Sequence, residues 1–411
     1  MGKLFKIPYS VFVICIDYLI IHFGYFSTLP IFAILLTQKD YTVDQVAIAA
    51  FVFIAALRSG RFFLGPFLDG IQPKTIIITG VFFAGFSFLL IGFVNSYPLL
   101  LLCLCLIGLG QSANGLAGKS VLSTLGSRDG NALQYFSTLN VFVNISAVFG
   151  PLFGTYLLTN GYQDHVFQIT GAFYVFTGII ILFLFRKVDI SESQAAGFSF
   201  FKRYKTVLTD RKYVQFLFFN AVGWFCYAQL FMALPYFVSL RYGMENKMGL
   251  LYVLNAVLII AFQMVVSSLI KKHLPAGKEN TLLLFAYMLF GLSFLSATAY
   301  PSFYVLFGTV ILFTLAEMIF TPSVDTIVSN LAKSDQRMTY FSFLGLSTAI
   351  GEGLGSFVGL KILDFWNTRG HFELFWASIA MIAGIACVLL WMMTLRRSSH
   401  VAKDNVKSME Q

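Results

Sequence analysis

The feature that most constrains this chain is a succession of apolar runs, each long enough to cross a bilayer. They stand at about 9–36, 44–64, 75–95, 98–125, 133–159 and 166–185, then at about 214–240, 248–270, 281–299, 302–330, 339–363 and 374–395. A crossing helix needs about 20 such residues, so twelve crossings take about 240 of the 411 positions. About a dozen remain for each connection, too few for a sizeable soluble domain. Only 11% of the residues are charged, against about 25% in an ordinary soluble domain, because most of the exterior has to face lipid. A nucleic-acid-binding domain, a secreted disulfide scaffold, a disordered polymer and a soluble enzyme with an appended anchor are all excluded. Period-two alternation is absent, and helices satisfy their own backbone groups in lipid. The expected fold class is an all-α polytopic membrane protein of twelve transmembrane helices in two halves of six.

The basic residues orient these crossings. One face receives twenty Lys and Arg, among them Lys3, Lys6, Lys74, Arg128, Arg186, Lys271, Arg337 and Arg396, and the opposite face only Lys39, Arg241, Lys247 and Arg369. Cytoplasmic loops carry such an excess, so both termini are expected in the cytoplasm and the chain in the inner membrane. The net charge of +9 is then topology, and no nucleic-acid partner is needed. The start, MGKLFK before an apolar run, is the first crossing rather than a signal peptide, since the run holds Asp17 and His22 and lacks a cleavage site. The expected organisation is a six-helix bundle over 1–185, a cytoplasmic linker over 186–213, a second bundle over 214–395 and a tail over 396–411. Within the linker, FFKRYK at 200–205 is expected to be a solvated basic loop, with an amphipathic segment on the inner leaflet as the alternative. All five cysteines fall in apolar runs without metal or disulfide spacing, and no cofactor or metal is expected.

The halves repeat. Leu29-Pro30-x-Phe32 recurs as Leu234-Pro235-x-Phe237, Tyr135-Phe136-Ser137-x-Leu139 as Tyr340-Phe341-Ser342-x-Leu344, and Gly150 with Gly154 as Gly355 with Gly359. Every pair is offset by 205 positions, which marks duplication of a six-helix unit. Six is even, so both halves enter from one side and form parallel repeats. A cavity between such halves, opened alternately to each face, makes a carrier.

Gly65-Pro66-Phe67-Leu68-Asp69-Gly70-Ile71-Gln72-Pro73-Lys74, between crossings 2 and 3, resembles the signature loop of the major facilitator superfamily. Gly65, Asp69 and Lys74 fit it; Gly70, Gln72 and Pro73 replace its usual basic, glycine and arginine positions. An anion at Asp69 near a helix end is the expected remnant of its role. Crossing 5 holds Gly150-Pro151-Leu152-Phe153-Gly154, similar to the motif of antiporters in that superfamily. Its glycines permit close helix approach and its proline bends the helix, so packing alone also accounts for it. Crossing 4 has Leu104 where the family often has an arginine. The resemblance covers essentially the whole chain and implies the major facilitator fold. Within the superfamily, Ile16-Asp17-Tyr18, Asp210-Arg211-Lys212 and Thr321-Pro322-Ser323-Val324-Asp325 resemble the twelve-helix bacterial drug:proton antiporters.

Charges inside the crossings each require a reason, at about 2.5–3.5 kcal/mol apiece near the bilayer centre. They are Asp17, Arg58, Arg61, Lys119, Glu317, Asp325, Glu352 and Lys361. The resembled fold lines its cavity with crossings 1, 4, 7 and 10, which hold Asp17, Lys119, Glu317 and Asp325. Helical rise puts Asp17 roughly 13 Å and Arg58 roughly 9 Å from the basic ends of crossings 1 and 2, so the two are expected to pair. Arg61, nearer the interface, is a candidate for the substrate cavity or a charge pair, with snorkelling as the alternative. Glu317 and Glu352 lie roughly 20 Å deep, near the midplane, where a carboxylate suits proton coupling; Glu317 is the first candidate, Glu352 the second, and Asp17 is also included. Lys119 and Asp325, 206 apart, are candidates for a latch at the basic end. His22 is read as a buried neutral residue. Gly118-Lys119-Ser120 lacks the earlier glycine of a phosphate loop, so an ion gradient rather than ATP is the expected energy source.

The expected protein is therefore no enzyme but a monomeric proton-coupled antiporter that exports small amphipathic molecules or drugs by alternating access. Its partners are protons, the small-molecule substrate and the lipid bilayer. The alternatives are a carrier of an anionic metabolite such as a polycarboxylate siderophore, with Arg58, Arg61 and Lys119 as counter-charges, and a non-transporting receptor or scaffold of the same fold.

Overall fold

The computed structural model describes residues 7–28, 31–187, 200–244, 247–274, 279–299 and 302–409. Lys3, Lys6, Leu29, Pro30, Lys278 and residues 188–199 of the linker lie outside these. Regular structure among the described residues is helical throughout. Crossing 1 consists of α1 (Tyr9–Thr28) and α2 (Phe32–Thr37). Crossings 2 to 6 are α3 (Val43–Leu68), α4 (Pro73–Ile91), α5 (Tyr97–Asp129), α6 (Ala132–Thr159) and α7 (Val166–Leu184). After α8 (Phe200–Thr209), crossing 7 comprises α9 (Arg211–Ala228), a π-helical turn Gln229–Ala233 and α10 (Leu234–Tyr242). Crossings 8 to 12 are α11 (Met248–His273), α12 (Glu279–Ser296), α13 (Val305–Leu331), α14 (Arg337–Asn367) and α15 (Phe372–Met409). Among the described residues eleven helical segments are long and apolar enough to cross a membrane, and Asn280–Ser296 is a shorter apolar helix.

Two local departures from the apolar runs have direct causes. No glycine or proline follows Gly384, so α15 continues past its apolar run to Met409. In crossing 7, Pro235 has no N–H to give and its ring crowds the preceding turn, where the ladder widens into the π turn. Gln229, at the start of that turn, donates its side-chain amide to the carbonyls of Phe225 (2.8 Å) and Gly355 (2.9 Å).

Two compact units make up the chain, Met1–Val214 with Val328–Leu346 and Gln215–Ile327 with Ser347–Gln411. In the first, α5 packs against both α3 and α4. Small residues make this possible: a Cβ on Gly108 would stand 2.7 Å from the Ala56 Cβ of α3, and one on Gly110 would stand 2.7 Å from the Gly80 carbonyl of α4. Without a hydrophobic force between helices in lipid, such close backbone approach is the main source of packing energy. Crossing 5 meets crossing 1 in the same way, with Gly150 over Phe26 and Gly154 on the Ser27 carbonyl. In the second unit, Gly355 of α14 packs on Phe225 and Gly359 on Gln229 of crossing 7. The repeated glycines thus hold the first helix of each half. Rings such as Phe51, Phe83, Phe93 and Phe176 remain exposed on the outside, as lipid-facing residues do.

The linker corrects one expectation. FFKRYK is no solvated loop, because Phe200–Thr209 is a helix with Arg203 and Val207 buried and Lys202 and Lys205 exposed. Period-3.6 spacing of Arg203 and Val207 puts both on one buried face, and Tyr204 donates to the Phe62 carbonyl of α3 at 2.6 Å.

Candidate functional site

The second unit buries one carboxylate among neutral partners. Glu317, on α13, is 3% exposed. Its Oε2 accepts from Asn255 Nδ2 of α11 at 2.8 Å and its Oε1 from the Tyr227 hydroxyl of α9 at 3.3 Å. Asn255 also donates to Thr314, one turn back on α13, at 3.0 Å. Tyr227 belongs to a run of rings: Trp224 at 4.7 Å, Phe231 at 5.2 Å and Phe313 at 5.9 Å, with Tyr252 stacked on Phe231 at 5.6 Å. The Trp224 indole N–H is buried without an acceptor among the described residues. Neutral donors tolerate either protonation state of a carboxyl, since the loss of its charge strands no buried cation. Glu352 is half-buried on α14, and Asp325 is buried on α13.

The first unit holds a different arrangement. Asp17 of α1 is fully buried, and Asn114 of α5 donates to both of its oxygens, at 3.0 and 3.2 Å. Asn114 also reaches the Ile77 carbonyl, so one amide joins crossings 1, 3 and 4. His22 bonds through Nδ1 to the Tyr18 carbonyl at 2.8 Å and stacks on the Tyr18 ring. Arg61, Lys119 and Arg58 all lie within electrostatic reach of that imidazole. Arg61 does not snorkel outward: its methylene stem lies along Gly345 of α14 and its guanidinium beside Gly115 of α5, because both glycines leave room for it. Lys119 Nζ stands 6.0 Å from the centre of the Phe341 ring.

At the basic end of the same unit, the signature loop closes on the start of α14. Asp69 accepts from the backbone amides of Met338 (2.8 Å) and Thr339 (3.1 Å) and from the Thr339 hydroxyl. A carboxylate on the free N–H groups of a helix start meets the positive end of the helix dipole. Arg203 Nη1 of α8 is 3.1 Å from Asp69 Oδ2, with both side chains nearly inaccessible. Burial outweighs these partners and pushes the Asp69 carboxyl up to about 6. Gly65 lies against Ser342 of α14, where a Cβ would come within 2.6 Å of the serine Cβ. Lys74 caps the end of α7 by donating to the Phe185 carbonyl at 2.9 Å. Beside the loop, Ser123 of α5 donates to Ser329 of α13 at 2.8 Å, and Arg337 to Thr124 at 2.9 Å.

Sequence reasoning singled out the carboxylates but missed the groups that hold them. Asn114 and Asn255 carried a usable signal, as amides deep in apolar crossings. Arg203, Tyr204 and Thr339 carried none, because the first two sit in a basic linker and the third at an ordinary helix start.

Comparison with known proteins agrees with this architecture. The family model described as Major Facilitator Superfamily matches residues 14–286 and 248–410. Among curated relatives, the multidrug resistance protein MdtH of Blochmanniella pennsylvanica is 24% identical over 400 residues, covering 95% of this chain and 92% of that protein. MdtH of Shigella flexneri is 24% identical over 394 residues, covering 93% and 94%. Among solved structures, the human organic anion transporter MFSD10 (TETRAN) superposes with a TM-score of 0.75 at 15% identity, over 93% of this chain and 99% of that one. A variant of the Escherichia coli fucose:proton symporter FucP gives 0.70 at 16% identity, over 93% and 98%. At such identities the two structures speak for the fold alone. With the whole-chain family match, the apolar crossings and the glycine-packed repeat, this chain is a multi-pass membrane transport protein that belongs to the Major Facilitator Superfamily.

Proposed function

We propose that this transporter is a proton-coupled antiporter of the inner membrane that exports small amphipathic molecules, chiefly lipophilic cations, with both termini and the basic end in the cytoplasm. The observation that carries the proposal is Glu317, an acid deep in a crossing, held by a neutral amide and a phenol and flanked by aromatic rings. Such a group takes up a proton from one side and gives it up when a cation docks nearby, because both compete for one negative charge. The rings of Trp224, Tyr227 and Phe231 offer flat apolar faces and cation–π attraction to an amphipathic cation. The twenty-to-four bias of basic residues supports the orientation. Relatives named multidrug resistance proteins support the substrate class.

A second reading, carriage of an anionic metabolite such as a polycarboxylate, is favoured by Arg58, Arg61 and Lys119 around His22 in the first unit. The discriminating experiment uses inside-out membrane vesicles with a pH gradient read by an acridine dye. Addition of a lipophilic cation should dissipate the gradient, and a protonophore should abolish the cation's uptake. Dissipation by a carboxylate siderophore instead, lost on Arg58→Ala or Lys119→Ala, would establish the second reading. Dissipation by neither compound refutes proton-coupled antiport of both classes.

A further inference from the structure

We propose that α8, in the linker between the halves, is a clasp on the cytoplasmic gate, and that its Arg203 supplies the cation that the signature loop lacks. The inference rests on the alternating-access reading, in which the packed basic end has to part in each cycle. The loop offers Gly70, Gln72 and Pro73 at its usual basic, glycine and arginine positions. Asp69 nonetheless sits beside a buried guanidinium, and that guanidinium comes from 134 positions further along the chain.

Three observations make α8 more than a tether. First, Arg203 is 4% exposed while its neighbours Lys202 and Lys205 face outward. A buried cation is retained only with a partner, and its described ionic partner is Asp69. Second, Tyr204 ties α8 to both sides of the gate. Its hydroxyl donates to the Phe62 carbonyl of crossing 2, and its ring lies 4.9 Å from Phe62 and 5.2 Å from Phe343 of crossing 11, which themselves pack at 5.2 Å. Third, the chain just after α8 grips crossing 11 again. Asp210 accepts from the Tyr340 hydroxyl at 3.1 Å, and Tyr213 donates to the Tyr340 carbonyl at 2.5 Å.

The clasp is also releasable. Arg203 Nη1 is within 3.1 Å of the carboxylate yet off the line of a hydrogen bond, and its Nε has no acceptor among the described residues. Attraction of this kind depends on charge more than on alignment, so it falls off gradually as the ends separate. Asp69, by contrast, also holds the start of α14 with two lined-up amide bonds. The two devices act on one carboxylate from two elements.

The test is cytoplasmic accessibility. Ser329, buried against Ser123 in the packed end, is replaced by cysteine, and its reaction with a membrane-impermeant thiol reagent is followed in inside-out vesicles, above the background of the five native cysteines. Arg203→Ala should raise the labelling rate about tenfold or more, and Arg203→Lys much less, because the second keeps the charge. Tyr204→Phe, which removes one hydroxyl and leaves the ring, should raise it about threefold. Restoring a basic residue to the loop by Gly70→Arg in the Arg203→Ala background should bring the rate back toward the parent. Gly70 is exposed, its Cβ would touch nothing within 4 Å, and its φ is not positive, so the arginine fits. Parent-like labelling in Arg203→Ala, with faster labelling in Asp69→Asn, overturns the clasp and leaves the loop and α14 as the whole gate. Absence of labelling in every variant during transport overturns alternating access itself, and the clasp with it.

Discussion

Glu317→Gln separates proton coupling from folding at the one buried acid of the second unit's aromatic run. The amide is nearly isosteric with the carboxyl. Its oxygen can keep the Asn255 bond now at 2.8 Å, and its NH2 can donate to the Tyr227 oxygen now at 3.3 Å. Exchanging two charge-assisted bonds for two neutral ones, while removing the burial penalty of the charge, should change stability by no more than about 1 kcal/mol. Function changes far more. Exchange of one proton for one monovalent cation is electroneutral, so the pH gradient alone drives it, and one pH unit, about 1.4 kcal/mol, sustains about a tenfold gradient of the cation. Without a titrating group that gradient should collapse to unity. The assay has two parts: proton release from purified protein on addition of a lipophilic cation, and accumulation of that cation in proteoliposomes with an imposed gradient. Glu317→Gln should release no protons and accumulate nothing, yet keep its thermal midpoint. Glu317→Ala should lose both coupling and about 1–3 kcal/mol of stability, since Asn255 and Tyr227 lose an acceptor. Proton release from Glu317→Gln at the parent's stoichiometry would refute the reasoning and move the coupling role elsewhere.

Other consequences follow from the same contacts. Gly154→Ala drives a methyl group into the Ser27 carbonyl of crossing 1 and should lower stability by about 1–3 kcal/mol in thermal unfolding, whereas Gly308→Ala, with open space around its Cβ, should be neutral. Asn114→Ala removes the donor to both Asp17 oxygens and should cost about 1–3 kcal/mol, with a smaller additional loss when Asp17→Asn is already present, measured as a double-mutant cycle.

How much of this could be read from residues differs by element. The crossings were legible because lipid demands long uninterrupted apolar helices, and their limits in the structure fall within a few residues of the apolar runs, except α15. The duplicated glycines were legible as a pattern, and the structure shows their use, in close packing of crossing 5 on crossing 1 and of crossing 11 on crossing 7. The helix at 200–209 was legible only as the alternative of an amphipathic segment, since its basic composition reads as solvated until Arg203 is found buried on Asp69. Where the Arg61 side chain lies was not legible, because depth along one helix says nothing of a gap between glycines on two others.

The division has one physical cause. Burial in a bilayer acts on each residue according to its own chemistry, so the apolar crossings, the repeat and the short list of intramembrane charges follow from the sequence alone. Which donor meets which charge depends on how helices far apart in the chain are placed side by side. Only the tertiary structure could set Asn255 and Tyr227 on Glu317, Asn114 on Asp17, and the linker's Arg203 beside Asp69 at the start of crossing 11.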